Sequence, residues 1–371
     1  MSLETTGGAP CAFRSAGPAP AGDVPGTPRR SSSRLKTGQA GIAASLYGAL
    51  DLGTNNCRLL IARPSGEGFR VIDSYSRIVR LGEGLGRHGA LSTEAMDRAV
   101  KALAVCRRKL DRRGVSQLRA VATEACRKAS NSAEFLERAR REAGIELEII
   151  SAREEARLAV IGCQSLLDPR FSRAIVFDIG GGSTEVVLVR RGEDERLHLV
   201  GWASLPFGVI TLTEAFGLGE GDAQAYAKTR AMVHQALAEF EARHHFARHA
   251  ANGGMQLLGT SGTVTTLASV QLKLRHYDRR RVDGSWFDSG AMRALARRIA
   301  LMDRAQRVAQ ACIGRDRADY VVAGCAILEA LFETWPVDRL RVADRGLREG
   351  VLRSMMAIGE DVIVDRQGAG Q

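Results

Sequence analysis

The chain has 371 residues, 45% hydrophobic, with a formal net charge of +11 and a pI near 9.7. That length buries a large core and predicts more than one domain, and no apolar run approaches the roughly 18 residues of a membrane-spanning helix. The basicity suits a polyanionic partner, but aromatic residues at 5% and the lack of a recognised binding motif argue against nucleic acid.

Residues 1–45 are rich in Ala, Gly, Pro, Ser and Thr and predict a disordered extension without a secretory apolar segment. The seven cysteines lie far apart with no Cys-x-x-Cys, which points to free thiols in a reducing compartment and a cytoplasmic location. The seven histidines show no zinc-ligand spacing.

Order begins near Tyr47. Residues 48–61 run as a strand, the turn Asp51-Leu-Gly53-Thr-Asn55 and a second strand, and Arg70–Val79 continues as a third. Thr93–Arg112 carries apolar residues at helical spacing behind Ser92, a candidate N-cap. A strand at Gln117–Ala122, a helix at Ala133–Ala143 and a strand at Leu147–Ile150 follow, and then a helix from Arg153 to Leu166. Its first turn holds Glu154 and Glu155. At 100° per residue the two cannot point into one cleft, so only one of them is available for chemistry there.

Residues 176–189 are the most informative segment. An apolar strand ends in Asp178, passes through Gly180, Gly181, Gly182, Ser183 and Thr184, and resumes as a strand after Glu185. Successive glycines leave backbone N–H groups uncovered, so the turn can wrap an anion. Two carboxylates beside such a nest make sense when a divalent cation lies between them, which makes Asp178 and Glu185 candidate metal ligands. A third Gly/Ser/Thr cradle follows an apolar strand at Leu257–Thr266 and contains Ser261, Gly262 and Thr263. Two Asp-x-Gly hairpins in one chain suggest an internal duplication, with two similar domains presenting their hairpins to one cleft.

Further along come helices at Gln224–His245, Ala291–Leu301 and Asp319–Phe332, a strand at Leu340–Ala343 and a closing helix at Leu347–Met356. The alternation is that of a mixed α/β protein. The arginine-rich loop Arg275–Arg281 reads either as a track for an extended polyanion or as a solvated loop.

Seven motifs together resemble the exopolyphosphatase and guanosine pentaphosphate phosphatase family, a branch of the actin and sugar-kinase superfamily. They are Ala49-Leu-Asp51-Leu-Gly-Thr-Asn55, Val121-Ala-Thr-Glu-Ala-Cys-Arg127-Lys-Ala-Ser-Asn131, Ile150-Ser-Ala-Arg-Glu154-Glu155-Ala156, Asp178-Ile-Gly-Gly-Gly-Ser-Thr-Glu185, Leu205-Pro-Phe-Gly-Val-Ile-Thr-Leu-Thr-Glu214, Gly259-Thr-Ser-Gly-Thr263 and Ala343-Asp344-Arg-Gly-Leu-Arg-Glu-Gly350.

The resemblance implies two actin-like, ribonuclease H-like lobes with a phosphate-binding cleft between them. The first would span 46–165 and be closed by the C-terminal helix 346–358; the second would span 170–343, with a flexible tail at 359–371. It implies Mg2+-dependent removal of terminal phosphate from inorganic polyphosphate or guanosine pentaphosphate. Glu155 would activate the water, and Arg127 would contact phosphate together with Asn55, Gly180, Gly181, Gly182, Ser183, Thr184, Ser261, Gly262 and Thr263. One departure is Ala152, where the family's motif has glycine. The additional C-terminal domain of long family members is expected to be absent, and a homodimer is expected by family analogy alone. Two readings from other classes stay open: an actin-like small-molecule kinase, and a non-catalytic regulator that binds polyphosphate or guanosine polyphosphates.

Overall fold

A computed structural model describes residues 45–218, 222–358 and 362–364. The expected disordered extension therefore lies outside the described residues, Ser45 apart, as does most of the expected flexible tail. One piece of that tail is a correction. Val362–Val364 forms a strand that pairs in parallel with Leu197–Leu199 and adds an edge to a sheet.

Two sheets organise the protein. The first holds β1 (Tyr47–Leu52), β2 (Asn56–Ser65), β3 (Gly68–Ile78), β4 (Gln117–Ala122) and β5 (Glu148–Ile149) in the order β3-β2-β1-β4-β5. The second holds β6 (Arg173–Ile179), β7 (Thr184–Arg191), β8 (Leu197–Leu205), β9 (Met255–Thr260), β10 (Trp286–Asp288), β11 (Arg339–Val342) and β12 (Val362–Val364) in the order β10-β11-β9-β6-β7-β8-β12. In both, a three-strand antiparallel meander is followed by two parallel strands: β3-β2-β1-β4-β5 in one and β8-β7-β6-β9-β11 in the other. The repeated hairpin in the sequence is thus one part of a repeated sheet.

The hairpins match residue by residue. Gly53 N–H donates to the Asn56 carbonyl at 2.9 Å, and Gly180 N–H donates to the Ser183 carbonyl at 2.9 Å. Asp51 lies opposite Arg58 in the first register, and Asp178 opposite Glu185 in the second. The two halves therefore share a backbone and differ in charge.

Helices pack the sheets as their apolar periodicity requires. Thr93–Arg113 is capped by Ser92, whose hydroxyl accepts from the Ala95 N–H at 3.2 Å, and it buries Met96, Val100, Leu103 and Leu110 in the core of the first sheet. A separate short helix, Gly314–Ala318, precedes the helix expected over Asp319–Phe332, which runs Val321–Thr334, two residues later at each end. Its residues are buried almost without exception, which places it inside the second lobe.

The helix Ala152–Cys163 follows β5 in sequence, yet its Ala156, Val160 and Cys163 join Val176, Val187, Val189 and Leu258 of the second sheet. The helix Leu347–Met355 follows β11, yet Leu347, Val351 and Leu352 join Ala49, Leu60 and Val121 of the first. The two helices meet at their backbones. A Cβ on Gly162 would lie 1.9 Å from the Gly346 carbonyl oxygen, and one on Gly350 would lie 1.9 Å from that of Leu158. No side chain fits at either place.

The halves also touch at a loop. Gly84 N–H donates to Glu214 Oε1 at 3.2 Å, and the Arg80 guanidinium lies 5.9 Å from the centre of the Tyr320 ring.

Gly162→Ala or Gly350→Ala is expected to destabilise the protein by about 3 kcal/mol, the upper range for overpacking, because a backbone carbonyl has no rotamer by which to yield. Urea denaturation reads this directly; an unchanged midpoint and slope would mean that the helices do not approach there.

Candidate active site

The glycine hairpin owes its orientation to a helix beyond it. The N–H groups of Val209 and Ile210, at the start of the helix Val209–Phe216, donate to the carbonyls of Gly180 and Gly181, each at 2.9 Å. In a trans peptide the next N–H points the opposite way. The amides of Gly181 and Gly182 are therefore turned away from that helix, and neither finds an acceptor among the described residues. Gly208 makes this fit possible, since a Cβ there would sit 2.3 Å from the Gly181 carbonyl. The hairpin tip rests on the other half: a Cβ on Gly181 would lie 3.2 Å from the Cβ atoms of both Thr54 and Asn55.

Not every residue of the hairpin faces an anion. The Gly180 amide is spent on the Ser183 carbonyl, closing the turn. Strand alternation turns Thr184 to the opposite face from Glu185, and its hydroxyl donates to the Phe207 carbonyl at 2.6 Å. Gly180 and Thr184 thus serve the scaffold, contrary to the expectation that they contact phosphate. The Ser183 hydroxyl donates to Glu185 Oε1 at 2.6 Å, and Ser204 donates to the same oxygen at 3.0 Å. Both orient a carboxylate.

The remaining cradles face the same region. Asn55 holds the 79–80 backbone through its own carbonyl, while its buried side-chain Oδ1 has no hydrogen-bond partner among the described residues. Ser261 caps the helix Gly262–Gln271 from a backbone with φ of 108°, and the Thr263 side chain packs against Gly324. What Gly262 and Thr263 offer outward is the helix N-terminus.

The glutamate pair divides as the helical geometry requires. Glu154 turns to Arg157 at 2.8 Å and Arg119 at 3.3 Å, and Glu155 turns to Arg127 at 2.7 Å. With side-chain exposures of 16% each, Arg127 and Glu155 form an interior ion pair, which removes the alternative of a surface salt bridge. Arg127 also binds Glu124 at 2.9 Å and the Ile150 carbonyl at 3.0 Å.

Four carboxylates collect here, and burial raises them all. Asp178 is lifted to about 6 by burial, with Arg58 opposing. Glu185 is lifted to about 7 by burial, with the charge of Asp178 adding to it. Burial and the charge of Glu185 raise Glu155 well above the usual range against the pull of Arg127, and burial also raises Asp51. In the first hairpin Arg58 offsets Asp51; in the second nothing of opposite sign stands across from Asp178. That asymmetry and the hard oxygen donors suit Mg2+ at Asp178 and Glu185. Among the described residues, no three acidic, histidine or cysteine side chains converge on one point as a metal cage. Two carboxylates with water and phosphate completing the shell is Mg2+'s usual arrangement.

Two arginines escaped the sequence reading. Arg58 forms no hydrogen bond or ion pair among the described residues, and its Nη2 would lie 4.0 Å from a Cβ on Gly262. Arg317 donates to Thr266 Oγ1, and burial together with nearby Arg58 pushes it below its ordinary value. The charged form of Arg317 is thus disfavoured by a neighbouring cation. The sequence signal for Arg58 was a lone arginine in the apolar strand Cys57-Arg-Leu-Leu-Ile61, at the position facing Asp51; Arg317 carried none.

The arginine loop is divided. Arg279 turns inward to the Asp344 carbonyl at 2.7 Å and Glu349 Oε1 at 3.0 Å, while Arg280 and Arg281 are exposed. Arg275, like Arg280 and Arg281, is exposed, so three of the loop's four arginines face solvent.

Residues 60–358 match the Ppx/GppA phosphatase family. The crystal structure of the Aquifex aeolicus family member is 29% identical, with a TM-score of 0.70, over 85% of this chain and 99% of that one. An exopolyphosphatase from Cytophaga hutchinsonii is 27% identical, with a TM-score of 0.73, over 84% and 98%. An exopolyphosphatase-like protein is 26% identical, with a TM-score of 0.74, over 84% and 98%.

Folding favours the protonated form of Glu185. Its contribution is intact below the ordinary value of 4.5 and is lost as pH rises through about 7. Glu185→Gln should therefore raise the melting temperature of the metal-free protein at pH 8, by roughly 5 °C. At pH values below that of a free carboxylate it should change little. Equal shifts at both pH values would refute the assignment of an uncompensated charge.

Proposed function

The chain belongs to the Ppx/GppA phosphatase family, and we propose that it is an exopolyphosphatase-type phosphoanhydride hydrolase dependent on Mg2+. It releases terminal orthophosphate from inorganic polyphosphate and also converts guanosine pentaphosphate to tetraphosphate. The observation that carries this reading is the juxtaposition of outward amides at Gly181 and Gly182 with the unbalanced carboxylate pair Asp178 and Glu185 and with buried Glu155.

Phosphoanhydride hydrolysis asks a protein to hold the terminal group, spread its charge and direct a water in line. The Gly181 and Gly182 amides, the Asn55 side chain and the N-terminus at Gly262 and Thr263 hold the phosphate oxygens. Arg127 and Arg58 supply positive charge. Asp178 and Glu185 would hold Mg2+, which neutralises developing charge when bound. Glu155 takes the proton from the attacking water as the water oxygen bonds to phosphorus, and the bridging oxygen leaves with its electron pair on the shortened chain. Burial suits Glu155 to this, because a base works best when its proton affinity approaches the ambient pH.

Glu155→Gln should leave the fold near wild type and lower turnover on the order of a hundredfold. The acid limb of the wild-type rate profile should lie well above the ordinary carboxylate range. Orthophosphate release from polyphosphate, guanosine pentaphosphate and ATP, assayed in parallel, checks both points. Release from ATP alone, or a variant as active as wild type, would sink the reading.

A further inference from the structure

Arg127 is more fully occupied than a phosphate clamp should be. A guanidinium carries five N–H groups. Nε and Nη2 donate to Glu124 Oε2 at 3.1 and 2.9 Å. Nη1 donates to the Ile150 carbonyl at 3.0 Å and to Glu155 Oε2 at 2.7 Å. Four donors are engaged and a single N–H on Nη2 remains. Two-point recognition of a phosphate needs two, so one partner must leave when the anion arrives.

The surroundings decide which. The Ile150 carbonyl belongs to backbone at the end of the first sheet and cannot retreat alone. Glu124 is held from several sides. It stands three residues before Arg127 on the same short helix, its Oε1 is bound by Lys128 Nζ at 2.6 Å, and its Cγ would lie 3.2 Å from a Cβ on Gly182. Glu155 stands on a different helix, and its carboxylate has no partner but Arg127 among the described residues. Glu155 is the partner free to go.

We propose that Glu124 is a positioning residue that keeps hold of Arg127 through Nε and Nη2 while Nη1 exchanges Glu155 for the terminal phosphate, so that substrate binding itself releases the base. The inference rests on the hydrolase reading above. Without an anion, Glu155 is paired with a cation and is a poor proton acceptor for water. With one, Nη1 and the spare N–H of Nη2 face the phosphate, and the released Glu155 oxygen takes the proton from water as the new P–O bond forms.

Glu124→Ala separates this from simple support of the fold. It frees the Nε and Nη2 edge of Arg127, so phosphate is clamped there without displacing Glu155. The kcat on polyphosphate should fall by about tenfold or more with KM unchanged or lower, and Glu124→Gln, which keeps an acceptor oxygen, should return to within about threefold of wild type. A kcat within about threefold of wild type in Glu124→Ala overturns the proposal, as does a loss of kcat matched by a rise in KM. A second arm needs no turnover: a crystal structure of the wild-type protein soaked in inorganic orthophosphate. Arg127 and Glu155 should separate beyond hydrogen-bond distance while Arg127 stays on Glu124. Bound phosphate above an intact Arg127–Glu155 pair overturns the exchange, and so does a soak that leaves no phosphate on Arg127. If the wild-type protein releases no phosphate from any substrate, the hydrolase reading fails, and this second arm still decides the exchange.

Discussion

The contact on which everything else rests is the meeting of two helix backbones at Gly162 and Gly350. Each helix follows the last strand of its sheet's shared five-strand motif, β5 or β11, and covers the opposite sheet. The exchange ties two similar halves into one body, and it brings the ends of β1 and β6 to one place, since each helix is braced by both sheets. Side chains at the crossing would force the helices apart, and the hairpins with them. Asn55 and Gly181 would then no longer touch, and the cradle they share would open. Two absent methyl groups thus set the width of a cleft made elsewhere.

A second theme is what became of a duplicated hairpin. The two copies keep the same turn hydrogen bond and the same aspartate, and they part at the residue across the ladder, arginine in one and glutamate in the other. The first copy is nearly neutral and presents a cation to the cleft; the second is doubly acidic. The asymmetry concentrates negative charge on one wall and positive charge on the other, which suits a bound cation shared with a polyphosphate.

Much of the architecture was legible because its signals are local. Alternating apolar residues, the Ser92 cap and the two hairpins are written within a few residues of where they act. The facing of Glu154 and Glu155 followed from helical rotation alone. What stayed hidden is non-local. The amide of Gly180 and the hydroxyl of Thr184 are consumed by partners at Ser183 and Phe207, and only the assembled turn and strand reveal it. Arg58 and Arg317 come together from chain segments more than two hundred residues apart in the sequence numbering. In β8 the alternation of buried Leu197, Leu199 and Gly201 with partly exposed neighbours emerges only with the assembled sheet, and β12 has only three residues.

The contacts of the 80–84 loop carry a consequence for populations. Any rotation of one lobe about the glycine crossing has to break the hydrogen bond from Gly84 to Glu214 and lift Arg80 off Tyr320. Each is a partly solvated contact worth on the order of 1 kcal/mol. Together they add about 2 kcal/mol to holding the two halves as they stand, a factor of roughly thirty in an equilibrium constant.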